Sequence, residues 1–343
     1  MNKILIIILI IVIISSIIGV LAIILNKPNT NISNNTAIAT TTVLTTVPTV
    51  PTTTILDTVI EVFCNTDTNN VKNIPPNLND AIAISAGYGH ILALKRNGTV
   101  VAWGTNDYNQ TDVPPGLDGV IAISAGDYHS LALKNDGTIV GWGDNIYEQS
   151  SNQTLTNGLK YIAISAGGFH SVGLVSDGTI RAWGDNSYGQ LVIPSGLPTI
   201  IAISAGGAHT LALTEDGTVT GWGGINNAKT NYGQVNIPDN LRNPKTASVK
   251  EISAKGNQSV ILQENGTITI LGLYQNDRLY ANINNSINSR ISAGYKFIMS
   301  VAKWGMSPLQ SFGYNDNGQF PTNVYNPIDF KAGYNFSVIL RYK

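Results

Sequence analysis

The sequence repeats itself, and the period limits what it can fold into. Ile84-Ser85-Ala86-Gly87 returns as Ile123-Ser124-Ala125-Gly126, Ile164-Ser165-Ala166-Gly167 and Ile203-Ser204-Ala205-Gly206, then as Ile252-Ser253-Ala254-Lys255, Ile291-Ser292-Ala293-Gly294 and Phe330-Lys331-Ala332-Gly333. Counted from serine to serine, with Lys331 standing in for the last, the spacings are 39, 41, 39, 49, 39 and 39 residues. A unit of this size cannot bury its apolar face alone, so copies must pack on one another as a solenoid, an array or a propeller.

Within a period the local signals are those of β-structure. Ala81 to Ala86 and Ile91 to Lys95 alternate apolar with small or polar residues, and Thr99 to Trp103 runs back. Asn97-Gly98 between them predicts the positive-φ pair of a type I′ turn, which gives three antiparallel strands. The turn recurs as Asp136-Gly137, Asp177-Gly178, Asp216-Gly217 and Asn265-Gly266. Asn106 to Gly116 holds Pro, Gly and Asn and fits a surface loop with room for a short fourth strand, and no long helix is expected after Asn26. The last copy ends at Lys343 without a third strand. The missing half lies at the other end, where Asp57 to Phe63 and Ile74-Pro75-Pro76-Asn77-Leu78 match the back of the first repeat, with its Val113-Pro114-Pro115-Gly116-Leu117. Six whole repeats and one split unit predict an all-β, seven-bladed β-propeller over residues 57–343. Its N- and C-terminal strands pair to close the ring, a design that leaves a monomer without an open sheet edge.

The unit Ala163-Ile164-Ser165-Ala166-Gly167-Gly168-Phe169-His170-Ser171, followed by Asp177-Gly178-Thr179, Trp183-Gly184-Asp185-Asn186 and Tyr188-Gly189-Gln190-Leu191, resembles the RCC1 repeat. The resemblance spans about residues 57 to 343. A WD-type blade would start with Gly-His and end with Trp-Asp, and a kelch-type blade would carry paired glycines at a longer period. Units with Val-Ile-Pro after Gln are most similar to the secreted bacterial RCC1-like propellers, among them a seven-bladed β-lactamase inhibitory protein. The resemblance implies a toroid of seven blades and a protein-binding role, although a fold does not by itself fix a function.

Ahead of the repeats, Ile4 to Leu25 is a run of 22 uncharged residues. As a helix at about 1.5 Å per residue it would span about 33 Å, one membrane crossing. Residues 1–25 are therefore expected to hold an uncleaved transmembrane anchor. A cleaved signal peptide is the competing reading, disfavoured because the apolar run exceeds the usual core of about 7 to 15 residues. Lys3 and the terminal amine face only Lys27, which places the N-terminus in the cytosol and the propeller on the extracellular or lumenal side. Residues 26–56, rich in Thr, Asn, Val and Pro, cannot bury a core and form an extended stalk or a disordered spacer. Sequons such as Asn31-Ile32-Ser33 and Asn34-Asn35-Thr36 agree with a glycoprotein in that location.

Charge argues against nucleic acid as a partner: charged residues make up 12% of the chain, the formal net charge is -1, and Lys and Arg are scattered singly. The single cysteine, Cys64, excludes an intrachain disulfide. His90, His129, His170 and His209 invite a metal or acid-base reading. They sit once per blade at one offset that holds Gln258, Phe297 and Phe336 elsewhere, so they are expected to bridge blades rather than bind metal. Trp103, Trp142, Trp183 and Trp222 stand at a common offset and are expected to fill the wedge between sheets, while Gln110, Gln149, Gln190, Gln234 and Gln319 tie down the long loop. Neither paired carboxylates, a phosphate-binding loop nor a nucleophile with its base is present, so no catalytic, cofactor or metal residue is expected and the chain is not expected to be an enzyme. Function is instead expected where repeats differ. The turn after the first strand carries Tyr88, Tyr128, Phe169, Tyr295 and Tyr334, predicted to fall on one rim as a protein-binding face or to pack on the next blade. The fourth interval is also ten residues longer than its usual length. The expected function is a membrane-tethered interaction module; the alternatives are a secreted enzyme inhibitor and, less favoured, a guanine-nucleotide exchange regulator.

Overall fold

Each period folds into an antiparallel meander. In the first blade Ala81–Ala86 pairs with His90–Lys95, which pairs with Val100–Gly104, and the same order recurs from Val120, Tyr161, Ile200, Val249 and Asn288. The computed structural model describes residues 57–343 apart from 65–66, 68, 225–231, 275–276, 285–287, 296, 303–307, 314, 316–317 and 322. Among the described residues there are seven sheets, six of three strands and one, the fifth, with a fourth strand at Asp277–Asn284. The predicted span 4–25 and the stalk lie outside them, and among the described residues no helix is long and apolar enough to cross a membrane.

The seventh sheet is assembled from both ends. Thr58–Phe63 pairs with Ser337–Tyr342, Ile60 opposite Leu340, and Asp329–Ala332 completes the blade. Ile60, Phe336 and Leu340 share one apolar cluster with Ile84, Ile91 and Trp103 of the first blade, so the last sheet packs on the first and closes the ring. Each of the other junctions has a core of the same kind, built from the alternate residues that adjacent sheets turn toward each other.

The structure gives each recurring residue a physical reason. The motif serine reaches forward one blade: Ser85 Oγ accepts from Ala125 N at 2.9 Å, Ser124 from Ala166 N at 2.9 Å, and the series continues to Ser292 and Ala332 N at 3.0 Å. The seventh blade has Lys331 at this position, and its junction with the first uses Asp329 instead, whose Oδ2 accepts from Ile84 N at 3.2 Å. The motif glycine makes room for a ring. A Cβ on Gly126 would lie 2.5 Å from His129 Cε1 and 2.6 Å from the Gly167 carbonyl. Where the fifth blade replaces the ring by Gln258, the glycine is replaced too, by Lys255. Tryptophan and glutamine share an anchor: Trp142 Nε1 and Ser130 Oγ both donate to the Gln110 carbonyl, at 2.9 and 2.8 Å, while Gln110 Oε1 accepts from Tyr108 N at 2.9 Å.

Two local expectations change. Of the Asn97-Gly98 pair only Gly98 has positive φ, at +81°. Gly98 N donates to the Lys95 carbonyl at 3.0 Å and Lys95 N to the Thr99 carbonyl at 2.9 Å. The connection is therefore a type I turn closed by a left-handed glycine, not the type I′ pair. The Asn97 side chain accounts for its own presence by accepting from Thr99 N at 3.1 Å. In the longer fourth interval a short helix, Asp239–Arg242, buries Leu241 in the apolar core shared by the fourth and fifth blades, so this part of the insertion has a packing role.

Candidate functional site

The histidines are scaffold. His90 Nε2 lies 3.0 Å from Ser130 Oγ of the next blade, and His129, His170 and His209 repeat the contact with Ser171, Thr210 and Ser259 at 2.8, 3.0 and 2.9 Å. Because Ser130 and Ser171 spend their protons on the Gln110 and Gln149 carbonyls, their oxygens accept from Nε2–H. The Nδ1 atoms are buried without a hydrogen-bond partner among the described residues. Burial first, helped by Lys255 at His90 and by neighbouring histidines at His129 and His209, pushes the imidazoles far below the ordinary histidine range, to about 3 for His90, His129 and His209 and about 4 for His170. Among the described residues no group of three or more His, Cys, Asp or Glu could hold a metal ion.

The turns after the first strands and the loops after the third lie at one end of the ring. Thr105 N donates to the Gly89 carbonyl at 2.7 Å, Asp144 N to Tyr128 at 2.9 Å and Asp185 N to Phe169 at 2.8 Å. All five predicted aromatics are at this end and all are half-buried. They touch one another in sequence round the ring: Tyr295 against Tyr334 with centroids 4.7 Å apart, Tyr334 against Tyr88 at 4.1 Å, Tyr88 against Tyr128 at 5.5 Å and Tyr128 against Phe169 at 5.7 Å.

Register divides them. Tyr88, Tyr295 and Tyr334 directly follow the motif glycine and converge, Tyr88 reaching Tyr295 edge-on at 5.8 Å. Tyr128 and Phe169 stand one residue later and meet rings from the outer loops, Tyr108 at 5.0 Å and Tyr147 at 5.8 Å. The inner three rest on a buried polar clasp. Asp127 of the second blade accepts from the Tyr295 hydroxyl of the sixth and lies 3.9 Å from Lys255 Nζ of the fifth, which also donates to the Ala125 carbonyl at 3.3 Å. Burial drives the Asp127 carboxyl up and the Lys255 ammonium down in pKa, and raises the Tyr295 phenol. Burial, with the bond to Tyr334, pushes Tyr88 up to about 12. Glycines occupy the same position in blades three to five, and a Cβ on Gly256 would meet the Tyr295 ring at 2.8 Å.

Sequence reasoning missed the outer part of this surface. Tyr108 and Tyr147 are half exposed at 48% and 47%, and Ile146, the chain neighbour of Tyr147, is 75% exposed. The signal was present, since tyrosine recurs two residues before Gln110, Gln149, Gln190 and Gln234. The backbone N–H of that tyrosine serves the glutamine, which frees its ring to face outward.

Four segments, residues 81–110, 120–149, 161–190 and 200–234, match the regulator of chromosome condensation (RCC1) repeat. No curated protein matches the chain. Among solved structures, Prp20p from Saccharomyces cerevisiae is similar with a TM-score of 0.66 and 19% identity, over 83% of this chain and 92% of that one. Human WBSCR16 gives 0.60 and 18%, over 76% and 86%. The ectodomain of the Physcomitrella patens receptor kinase CR4 gives 0.58 and 22%, over 76% and 68%. With its repeats recognised in four blades and its fold shared with the yeast protein, the chain is an RCC1-like repeat propeller.

Proposed function

We propose that the chain is a protein-interaction module, held at a membrane by residues 4–25, which engages a polypeptide partner through the aromatic end of its propeller and catalyses no reaction. The observation that carries this reading is the unbroken run of rings from Tyr295 to Tyr147, ending on side chains that stand in solvent. Tyrosine supplies wide contact area at small entropic cost and a hydroxyl that tolerates water when the face is empty. The recurring groups with chemical potential are already committed: histidines to hydroxyls of the next blade, turn aspartates to their own hairpins. Prp20p has binding properties to Gsp1p and histones, and yeast RCC1 forms a complex with Kap60. CR4 uses a related fold as a receptor ectodomain. An exposed propeller on a stalk fits the same arrangement.

A photo-crosslinking amino acid at position 146 of the full-length protein tests the reading. A discrete adduct is expected from this position and none from position 96, on a hairpin turn at the other end; adducts from position 96 alone would place the interaction elsewhere. A secreted inhibitor of an enzyme is the second reading, favoured by the Val-Ile-Pro units. The mature N-terminus separates the two, since an intact Met1 is expected for the anchored form.

A further inference from the structure

The aromatic end is also the acidic end. The outer loops of the first three blades, residues 104–112, 143–151 and 184–191, contain Asp107, Asp112, Asp144, Glu148 and Asp185 and not one Lys or Arg. Composition does not explain this, because the whole chain has 20 Lys and Arg against 21 Asp and Glu. The basic residues of these blades lie toward the other end, where Lys95 pairs with Asp80 at 3.4 Å and Lys134 with Asp118 at 3.8 Å, and where Arg96 flanks its hairpin turn.

Three of the five carboxylates have internal duties. Asp144 Oδ1 accepts from Ile146 N at 3.2 Å, Asp185 from Ser187 N at 2.9 Å, and Asp112 from Asn106 Nδ2 at 2.9 Å. Asp107 and Glu148 are exposed and take no part in the loop's hydrogen bonding through their side chains among the described contacts. Each adjoins one of the two exposed tyrosines. Glu148 has a φ of +66°, at the loop position where other blades place Asn70, Asn109, Gly189, Gly233 or Gly318. A glutamate rarely adopts that conformation, and the loop does not need one.

We propose that this face recognises a cationic, Lys- and Arg-rich segment of the partner, its charged groups lying over the rings of Tyr108, Tyr128 and Tyr147 and pairing with Asp107 and Glu148. The inference rests on the interaction reading and adds the partner's chemistry to it. Ring faces and carboxylates side by side attract the same groups, since a guanidinium or ammonium binds a tyrosine face through the ring quadrupole and the neighbouring carboxylate by charge. An acidic or neutral segment would leave Asp107 and Glu148 without partners at the interface.

Fluorescence anisotropy of detergent-solubilised full-length protein with labelled Arg-Ser, Tyr-Ser and Glu-Ser repeat peptides tests this directly. The Arg-Ser peptide is expected to bind most tightly and to weaken with added salt. Asp107→Asn combined with Glu148→Gly is expected to weaken it about tenfold, in the range measured for close charge pairs at interfaces. Glu148→Gly restores the residue type of other blades, so thermal stability is expected to hold or rise. Asp118→Asn, at the other end, is expected to change nothing. Equal loss in that control, or an unchanged double variant, overturns the proposal. Tighter binding of the Tyr-Ser peptide, lost in Tyr108→Ala with Tyr147→Ala, would keep the interaction face and overturn its cationic preference. The absence of any adduct from position 146 would instead remove the interaction reading itself.

Discussion

Blades one to four and blades five to seven build the same junction from different chemistry. In the first group a histidine Nε2 is hydrogen-bonded across the gap with the hydroxyl of Ser130, Ser171, Thr210 or Ser259 of the following blade. In the second, Gln258 and Phe336 face blades whose equivalent residues are Ile298 and Ile91, both buried. Four junctions set a hydroxyl against an imidazole and two set an isoleucine against Gln258 or Phe336, while between the sixth and seventh blades Phe297 and Ser337 take the equivalent places, the Ser337 hydroxyl donating to the Gln319 carbonyl at 2.6 Å. The inner strands differ too. Alanines at positions 83, 122, 163 and 202 give way to Glu251, Arg290 and Asp329, with Arg290 and Lys331 each 3.0 Å from Asp329. A blade junction is thus defined by complementarity of shape and polarity, and either a polar relay or an apolar pair supplies it.

The comparison can be strained hardest at the seventh blade, where the chain closes on itself. Deleting Thr58–Phe63 exposes the buried face of Ser337–Tyr342 and leaves its edge unpaired. Cooperative unfolding is expected to be lost or its midpoint to fall by well over about 10 °C, as measured by circular dichroism. An unchanged midpoint would mean the ring is not closed through these strands.

Substituting the motif glycine separates blade five, which has Lys255 and no ring at this place, from the other six. Gly126→Val is expected to destabilise by about 3 kcal/mol or more, because the new side chain meets both the His129 ring and the Gly167 carbonyl. Lys255→Ala, at the same place in a blade with no ring, makes no such collision. Its cost instead comes from leaving Asp127 without its cation and is expected to vanish when Asp127→Asn is added. Denaturant titration of the three variants checks both halves.

Acid sharpens the difference further. The four imidazoles have folded pKa values near 3 to 4 against an ordinary value of 6.5, so between these limits the unfolded chain binds more protons. Their stabilising contribution is complete above about pH 6.5 and is lost as pH falls toward the folded values, by about 2 kcal/mol per histidine at pH 5. Unfolding midpoints are expected to fall across this window. A His129→Phe, Ser171→Ile pair, copying the pairing of blades seven and one, is expected to show a shallower fall. An identical slope would show that the histidines do not carry the acid sensitivity.

The seven blades and the split closure were legible because they depend on periodicity and strand alternation, which are local and repeated. The aromatic set was legible as residue types at a turn. Its division was not, because a one-residue shift between Tyr88 and Tyr128 decides whether a ring points inward or outward. Lys255 stands in the sequence only as a departure from the repeated motif, and nothing along the chain singles out Asp127. Their meaning required knowing that blades two, five and six meet at one point, a relation that no spacing along the chain expresses. The turn at Asn97 differed from expectation for a smaller reason: Asn-Gly suits two hairpin geometries, and the hydrogen bond from Thr99 to the Asn97 side chain selects the one found.

The proposed division of labour is that one end of the propeller binds and the rest supports it. Affinity capture by full-length protein, quantified by mass spectrometry, tests this with Tyr108→Ala plus Tyr147→Ala at the aromatic end and Arg96→Ala plus Arg181→Ala away from it. Loss of about tenfold or more of the captured partner by the tyrosine pair alone, with unchanged thermal midpoints, is the predicted result. Full capture by the tyrosine pair and loss by the arginine pair would contradict it.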